Sequence, residues 1–232
     1  MKKILIYISL FIFLTTAASF ALDSAIARKA DVIPPYCLSF ASIGAIFQES
    51  RLDAWAKINT DQQEKAEIQE ISAALGLGEN AWSKQVNKKF NRYLFSMEDT
   101  SYMIIWEQSN INQAFLRITI ESSDPYADLP RYENIINGIN GYNWHFNYTF
   151  NGEINSIVDD QSMQVLMDTL IVNLKGRQTS NYCCGESWSA TAINEQKPII
   201  QHYNRFESAM RREKELGKTK IWLGIPDLQN SY

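Results

Sequence analysis

The sequence predicts an α+β fold: one helix-rich domain with a small antiparallel β-sheet. Three observations predict it. Several segments repeat apolar residues at helical spacing, one segment alternates with period two, and Asn151-Gly152 follows that alternation as a tight-turn signal. With 45% apolar and 12% aromatic residues, a chain of this length can fill one hydrophobic core. No Pro/Gly/Ser-rich linker and no internal sequence repeat divides it.

The N-terminus sets the compartment. "MKKILIYISLFIFLTTAASFA" has two lysines, an apolar run from Ile4 to Leu14, and small residues at Ser19 and Ala21. That is the layout of a secretory signal peptide over residues 1–21, cleaved before Leu22, leaving 22–232 as a single exported α+β domain. The short MKK start and the Ile/Asn-rich composition look bacterial, so the expected location is periplasmic or secreted. No second apolar stretch of spanning length follows. The net charge of −4 becomes −6 without Lys2 and Lys3, and such mild acidity argues against nucleic acid.

The elements follow in order. From Pro35, a helical stripe runs through Cys37, Phe40, Gly44, Phe47, Arg51 and Trp55. A second helix opens on a Thr60/Gln63 capping box and ends at Gly76 or Gly78. "ENAWSKQVNKKFNRYLFSM" reads as a third, with Trp82, Val86, Phe90 and Met97 on its stripe. "YMIIWEQ" leans to helix and "AFLRITIE" to strand. "GYNWHFNYTF" alternates Tyr142, Trp144, Phe146, Tyr148 and Phe150 with Asn143, His145, Asn147 and Thr149, and Asn151-Gly152 would turn it into a hairpin. "DQSMQVLMDTLIVNLKG" places Met163, Leu166, Met167, Leu170, Ile171 and Leu174 on one helical stripe. Another helix is expected from Pro198 to Leu216, and "KIWLGIP" as a last short strand.

The candidate chemistry is sparse. In "AIFQESRLDAWA", Ala45, Ile46, Gln48, Glu49, Ser50, Leu52, Asp53 and Ala56 resemble the helix-end segment that carries the catalytic glutamate of lytic transglycosylases. The resemblance implies a peptidoglycan-cleaving enzyme with Glu49 as general acid/base. Ala54 stands where that family has proline, and its glycine-rich and A-Y-N-A-G motifs are absent. Ser187 in Gly185-Glu186-Ser187-Trp188-Ser189 lacks the closing glycine of a nucleophile turn and the ordered acid and histidine after it. His145 and His202 have no metal-ligand partner at helical spacing, and no phosphate-cradling loop occurs, so neither metal nor cofactor is expected.

Three cysteines in an oxidising compartment allow one bridge, from Cys37 to Cys183 or Cys184, leaving one thiol over. Neighbouring side chains of an extended segment face opposite sides, so only one of the pair can reach Cys37. The polar face of the hairpin, with the long loop before it, is the expected contact surface: Tyr126, Asp128, Asn143, His145 and Asn147. The leading expectation is therefore an exported, soluble, non-catalytic protein that binds another protein or a cell-envelope component, such as an inhibitor, adaptor or effector. The alternative is the Glu49 glycosidase.

Overall fold

The computed structural model describes residues 35–59, 64–78, 82–110, 112–125, 129–130, 132–194 and 204–228. The described helices are α1 (Pro35–Ser42), α2 (Glu64–Ala74), α3 (Tyr132–Gly138) and α4 (Asp160–Asn173). The strands are β1 (Ile46–Asn59), β2 (Ser83–Val86), β3 (Asn91–Met97), β4 (Thr100–Asn110), β5 (Gln113–Ser122) and β6 (Gly141–Ile154). They continue with β7 (Gly176–Cys184), β8 (Ser187–Asn194), β9 (Arg205–Glu213) and β10 (Lys218–Ile225). All ten join in one antiparallel sheet, in the order β2-β3-β4-β5-β1-β6-β10-β9-β8-β7. The helix-rich expectation is thus corrected: strand dominates, and the sheet is large.

That strand order is a palindrome. Each half runs helix, strand, helix and four-stranded meander, and the last strand of each meander returns beside the first strand of its half. The halves meet where β1 pairs with β6, with Leu52 opposite Tyr148. The sequence carries no matching repeat, so the duplication is one of topology alone.

One face of the sheet is the core. On β1, Ser50, Leu52, Ala54, Ala56 and Ile58 are buried, while the residues between them point the other way. Leu52, Ala54 and Ile58 pack in one cluster with Ile68 and Ile71 of α2, Ile135 of α3, and Met163, Met167, Leu170 and Ile171 of α4. Each fully buried Leu or Ile side chain stabilises the fold by about 1.5–3 kcal/mol.

Two helices fall where their stripes place them. α2 stops at Gly76, whose φ of +72° lets Gly76 N–H reach Ala73 O and Leu77 N–H reach Ser72 O. On α4 the expected stripe faces inward, and Asp159 caps its start by accepting from Ser162 N–H at 2.8 Å.

Other expected elements change type. The stripe from Pro35 to Trp55 is broken by Gly44 at φ +71°, where Gly44 and Ala45 N–H close α1 on Ala41 O and Phe40 O. Beyond it the chain is strand. Residues 83–86 and 91–97 form β2 and β3, "YMIIWEQ" is part of β4, and of the helix expected from 198 to 216 residues 205–213 form β9, followed by one 3-10 turn at Lys214–Leu216. In β9, Phe206, Ser208 and Met210 are buried on the helix-covered face while Ala209 is buried on the other against Trp222 and Leu228, an alternation of faces that pairing with β8 and β10 on either side imposes on a helix-prone sequence.

The hairpin at Asn151-Gly152 is also corrected. β6 runs straight through both residues, with Asn151 opposite Trp222 and Gly152 opposite Ile221. Gly152 serves close packing instead: a Cβ there would lie 2.8 Å from the Phe40 ring of α1. Gly152→Ala is expected to lower stability by about 1–3 kcal/mol in urea unfolding, because Phe40 must move aside. An unchanged midpoint would show that α1 does not seat on β6.

Candidate functional site

The side chains that β1 turns away from the core begin the candidate site. Strand register places Arg51 between Glu121 on β5 and Thr149 on β6, Asp53 between Thr119 and Asn147, and Trp55 between Arg117 and His145. The described helices all pack on the other face, so among the described residues this face is helix-free.

Asp53 is the hub of its centre. Arg51 Nε donates to Asp53 Oδ2 at 2.6 Å, while Arg51 Nη2, Arg117 Nε, Arg117 Nη2 and Thr119 Oγ1 all donate to Oδ1 at 2.7–3.2 Å. Burial pushes the Asp53 carboxyl upward, but the hydrogen bonds from Arg51, Arg117 and Thr119 outweigh it and hold it below the ordinary carboxylate range. Arg51 Nη1 also donates to Glu121 Oε1 at 2.7 Å. Glu49, opposite Asn151, is shifted the other way: burial raises it, Glu121 adds to the rise, and Arg51 offsets part of it.

Beside this ionic lattice the face becomes aromatic. Trp55 and His145 stack with ring centroids 5.7 Å apart and planes at 16°. Lys57 Nζ lies 5.6 Å from the centroid of the Phe115 ring, and Phe115 is 45% exposed. Gln113 Nε2 donates to the Tyr142 hydroxyl at 3.2 Å. The β1–β6 register shifts between Trp55 and Lys57, where β6 carries one extra residue and Asn143 takes φ +55°. That bulge turns Tyr142 to the same side as Lys57.

The expected contact residues divide. Asn143 and His145 are exposed in and beside the bulge; Asn147 is buried at 6% exposure beside Asp53, and its Oδ1 accepts no hydrogen bond. Tyr126 and Asp128 lie outside the described residues, as do residues 1–21 and the Thr60/Gln63 box. Glu49 is on a strand, not at a helix end, so the geometry implied by the transglycosylase resemblance is absent. Among the described residues, no group of three or more His, Cys, Asp or Glu is placed to hold a metal ion.

The expected disulfide is corrected too. Cys183 and Cys184 are both exposed free thiols at the end of β7. β7 is the outermost strand, five positions from β1, on which α1 packs, and each position adds about 4.8 Å. The Cys37 side chain itself lies outside the described residues. Sequence reasoning passed over Arg51, Trp55, Lys57, Phe115, Arg117 and Tyr142, although "ESRLDAWAKIN" does alternate with period two. Comparison with known protein-family models and with curated proteins finds no match, and the site is read from its own chemistry.

The lattice and the thiols can each be tested. Asp53 contributes stability above the ordinary carboxylate range and loses it as pH falls through its lowered value. Asp53→Asn is therefore expected to cost about 2 kcal/mol at pH 7 in urea unfolding, a deficit that shrinks below about pH 4. Glu49 has the opposite sign: its raised value costs stability at neutral pH, so Glu49→Gln should be more stable than wild type at pH 7 and lose that advantage in acid. Separately, native alkylation without reductant should modify both Cys183 and Cys184 when read by peptide mass spectrometry; protection of either thiol would contradict the free pair.

Proposed function

We propose that this chain is an exported, non-catalytic protein that binds a protein partner through the aromatic end of its helix-free face. One observation carries the reading. Trp55, His145, Lys57 and Phe115 are held in place by strand register and by pairwise ring contacts, yet Phe115 is left 45% exposed. Fixed rings that stay accessible lose little conformational freedom on binding, and aromatic side chains are enriched at protein contacts. The surface is a stretch of β-sheet, which suits a broad partner better than a small molecule.

The lattice beside it supports binding over catalysis. Asp53 is saturated by donors and held ionised, which leaves it no proton to give, and Arg51 is spent on Asp53 and Glu121. Export rests on the N-terminal sequence, with removal of residues 1–21 and release to the periplasm or beyond. The Glu49 glycosidase is not carried forward, because the helix-end placement it relied on is a strand.

Photo-crosslinking tests the reading in the producing cells. Benzoylphenylalanine at position 115 should give a discrete protein adduct that Trp55→Ala abolishes. The same probe at Val172, exposed on α4 across the sheet, should give none. Adducts at both positions, or at neither, would refute the proposed face, and N-terminal sequencing of exported protein should begin at Leu22.

A further inference from the structure

The helix-free face carries a second feature, in the half away from Trp55. A cavity of about 150 Å³ lies over β7, β8 and β9, bounded by Ser180, Tyr182, Ser189, Thr191, Glu207 and Leu228. Register makes its floor. Tyr182 is opposite Ser189, Ser180 is opposite Thr191, and Thr191 is opposite Glu207. Such groups stand about 5 Å apart across strands and about 7 Å apart along them, an array of polar groups rather than a single anchor.

The walls are fixed. Leu228 packs with Trp222 and Ala209, and its N–H donates to Glu207 Oε2 at 3.1 Å. Arg205 Nη2 donates to Glu207 Oε1 at 2.6 Å. The carboxylate is thereby held in position with its charge compensated. The side-chain hydroxyls of Ser180, Ser189 and Thr191 make no hydrogen bond to a described residue.

Size and charge together narrow the ligand. The cavity is open to solvent on one side, so its volume admits one face of a six-membered ring while the other face stays in water. No lysine or arginine lines the cavity, so a phosphate, sulfate or carboxylate would meet no counter-ion. Glu207 is already paired, so an ammonium group would gain little from it. A purely apolar ring would shield the three hydroxyls from water without replacing it. A neutral ring bearing hydroxyls satisfies them all, and Tyr182, 65% exposed at the rim, offers an aromatic face to its C–H side.

We propose that this cavity binds one neutral pyranose unit, free or at the end of a glycan. The site shares no residue with the Trp55 end of the face and does not depend on the protein-binding reading.

Saturation-transfer NMR on the full chain tests it. The probes are methyl glycosides of glucose, galactose and N-acetylglucosamine, the corresponding tetrasaccharides, and glucuronate and glucosamine as charged controls. At least one neutral sugar should receive saturation, and the charged controls should not. Tyr182→Ala and Thr191→Val, each checked for an unchanged unfolding midpoint, should weaken binding about tenfold, whereas Trp55→Ala should leave it unchanged. Binding of a tetrasaccharide alone would identify the ligand as the end of a glycan; equal binding of the glycoside would identify a free unit. Silence from every neutral sugar, equal transfer to glucuronate, or a signal undiminished by both Tyr182→Ala and Thr191→Val would overturn the proposal.

Discussion

The pairing of β1 with β6 is the constraint on which the rest of the molecule depends. These two strands are fourteen residues long each and lie at the middle of the sheet, flanked by β5 and β10. Their mutual register decides which side chains face α1 to α4 and which face outward. A slip of β1 by one residue would turn Leu52 and Ala54 out of the core and bury Asp53 and Arg51 in their place. The long alternation on both strands makes such a slip costly. The core and the candidate face are therefore fixed by one and the same event.

On the outward face, attraction is largely used up within the molecule. Arg51, Arg117, Asp53 and Glu121 neutralise one another across β1 and β5, and Lys218 with Glu153 does likewise across β10 and β6. Ion pairs as exposed as these are worth little individually. Asp53, only 14% exposed, is the exception, because it gathers three donors at once. What the lattice leaves over is shape and aromatic surface at one end and hydroxyl groups at the other. The two ends of the face thus offer different chemistry on a common scaffold.

How much of this was legible depended on how local each signal is. The α4 stripe from Met163 to Leu174 is complete within its own segment and emerges as read, whereas the β6 alternation from Trp144 to Phe150 marks a strand but not an exposed face, because Asn147 and Thr149 are buried too. β1 and β9 carry both a helical and a period-two pattern, and only their neighbours in the sheet select between them. Asn151-Gly152 has the composition of a turn, but its meaning comes from Phe40, a residue more than a hundred positions earlier. The Asp53 hub joins residues of β1 and β5 more than sixty positions apart, and no local period reports such a meeting.

The palindromic strand order also bears on how the chain comes together. Delivered N-terminus first, the first half can close β5 against β1 as soon as β5 is free to fold. At that moment the other side of β1 presents fourteen residues of unpaired backbone, because its second partner has not yet arrived. Helix α3 and then β6 follow directly, so the exposed edge is capped by the next strand in the chain. Placing the junction at β1 and β6, rather than at the outer meanders, keeps that vulnerable interval short and gives the folding chain its own nearest strand as protection.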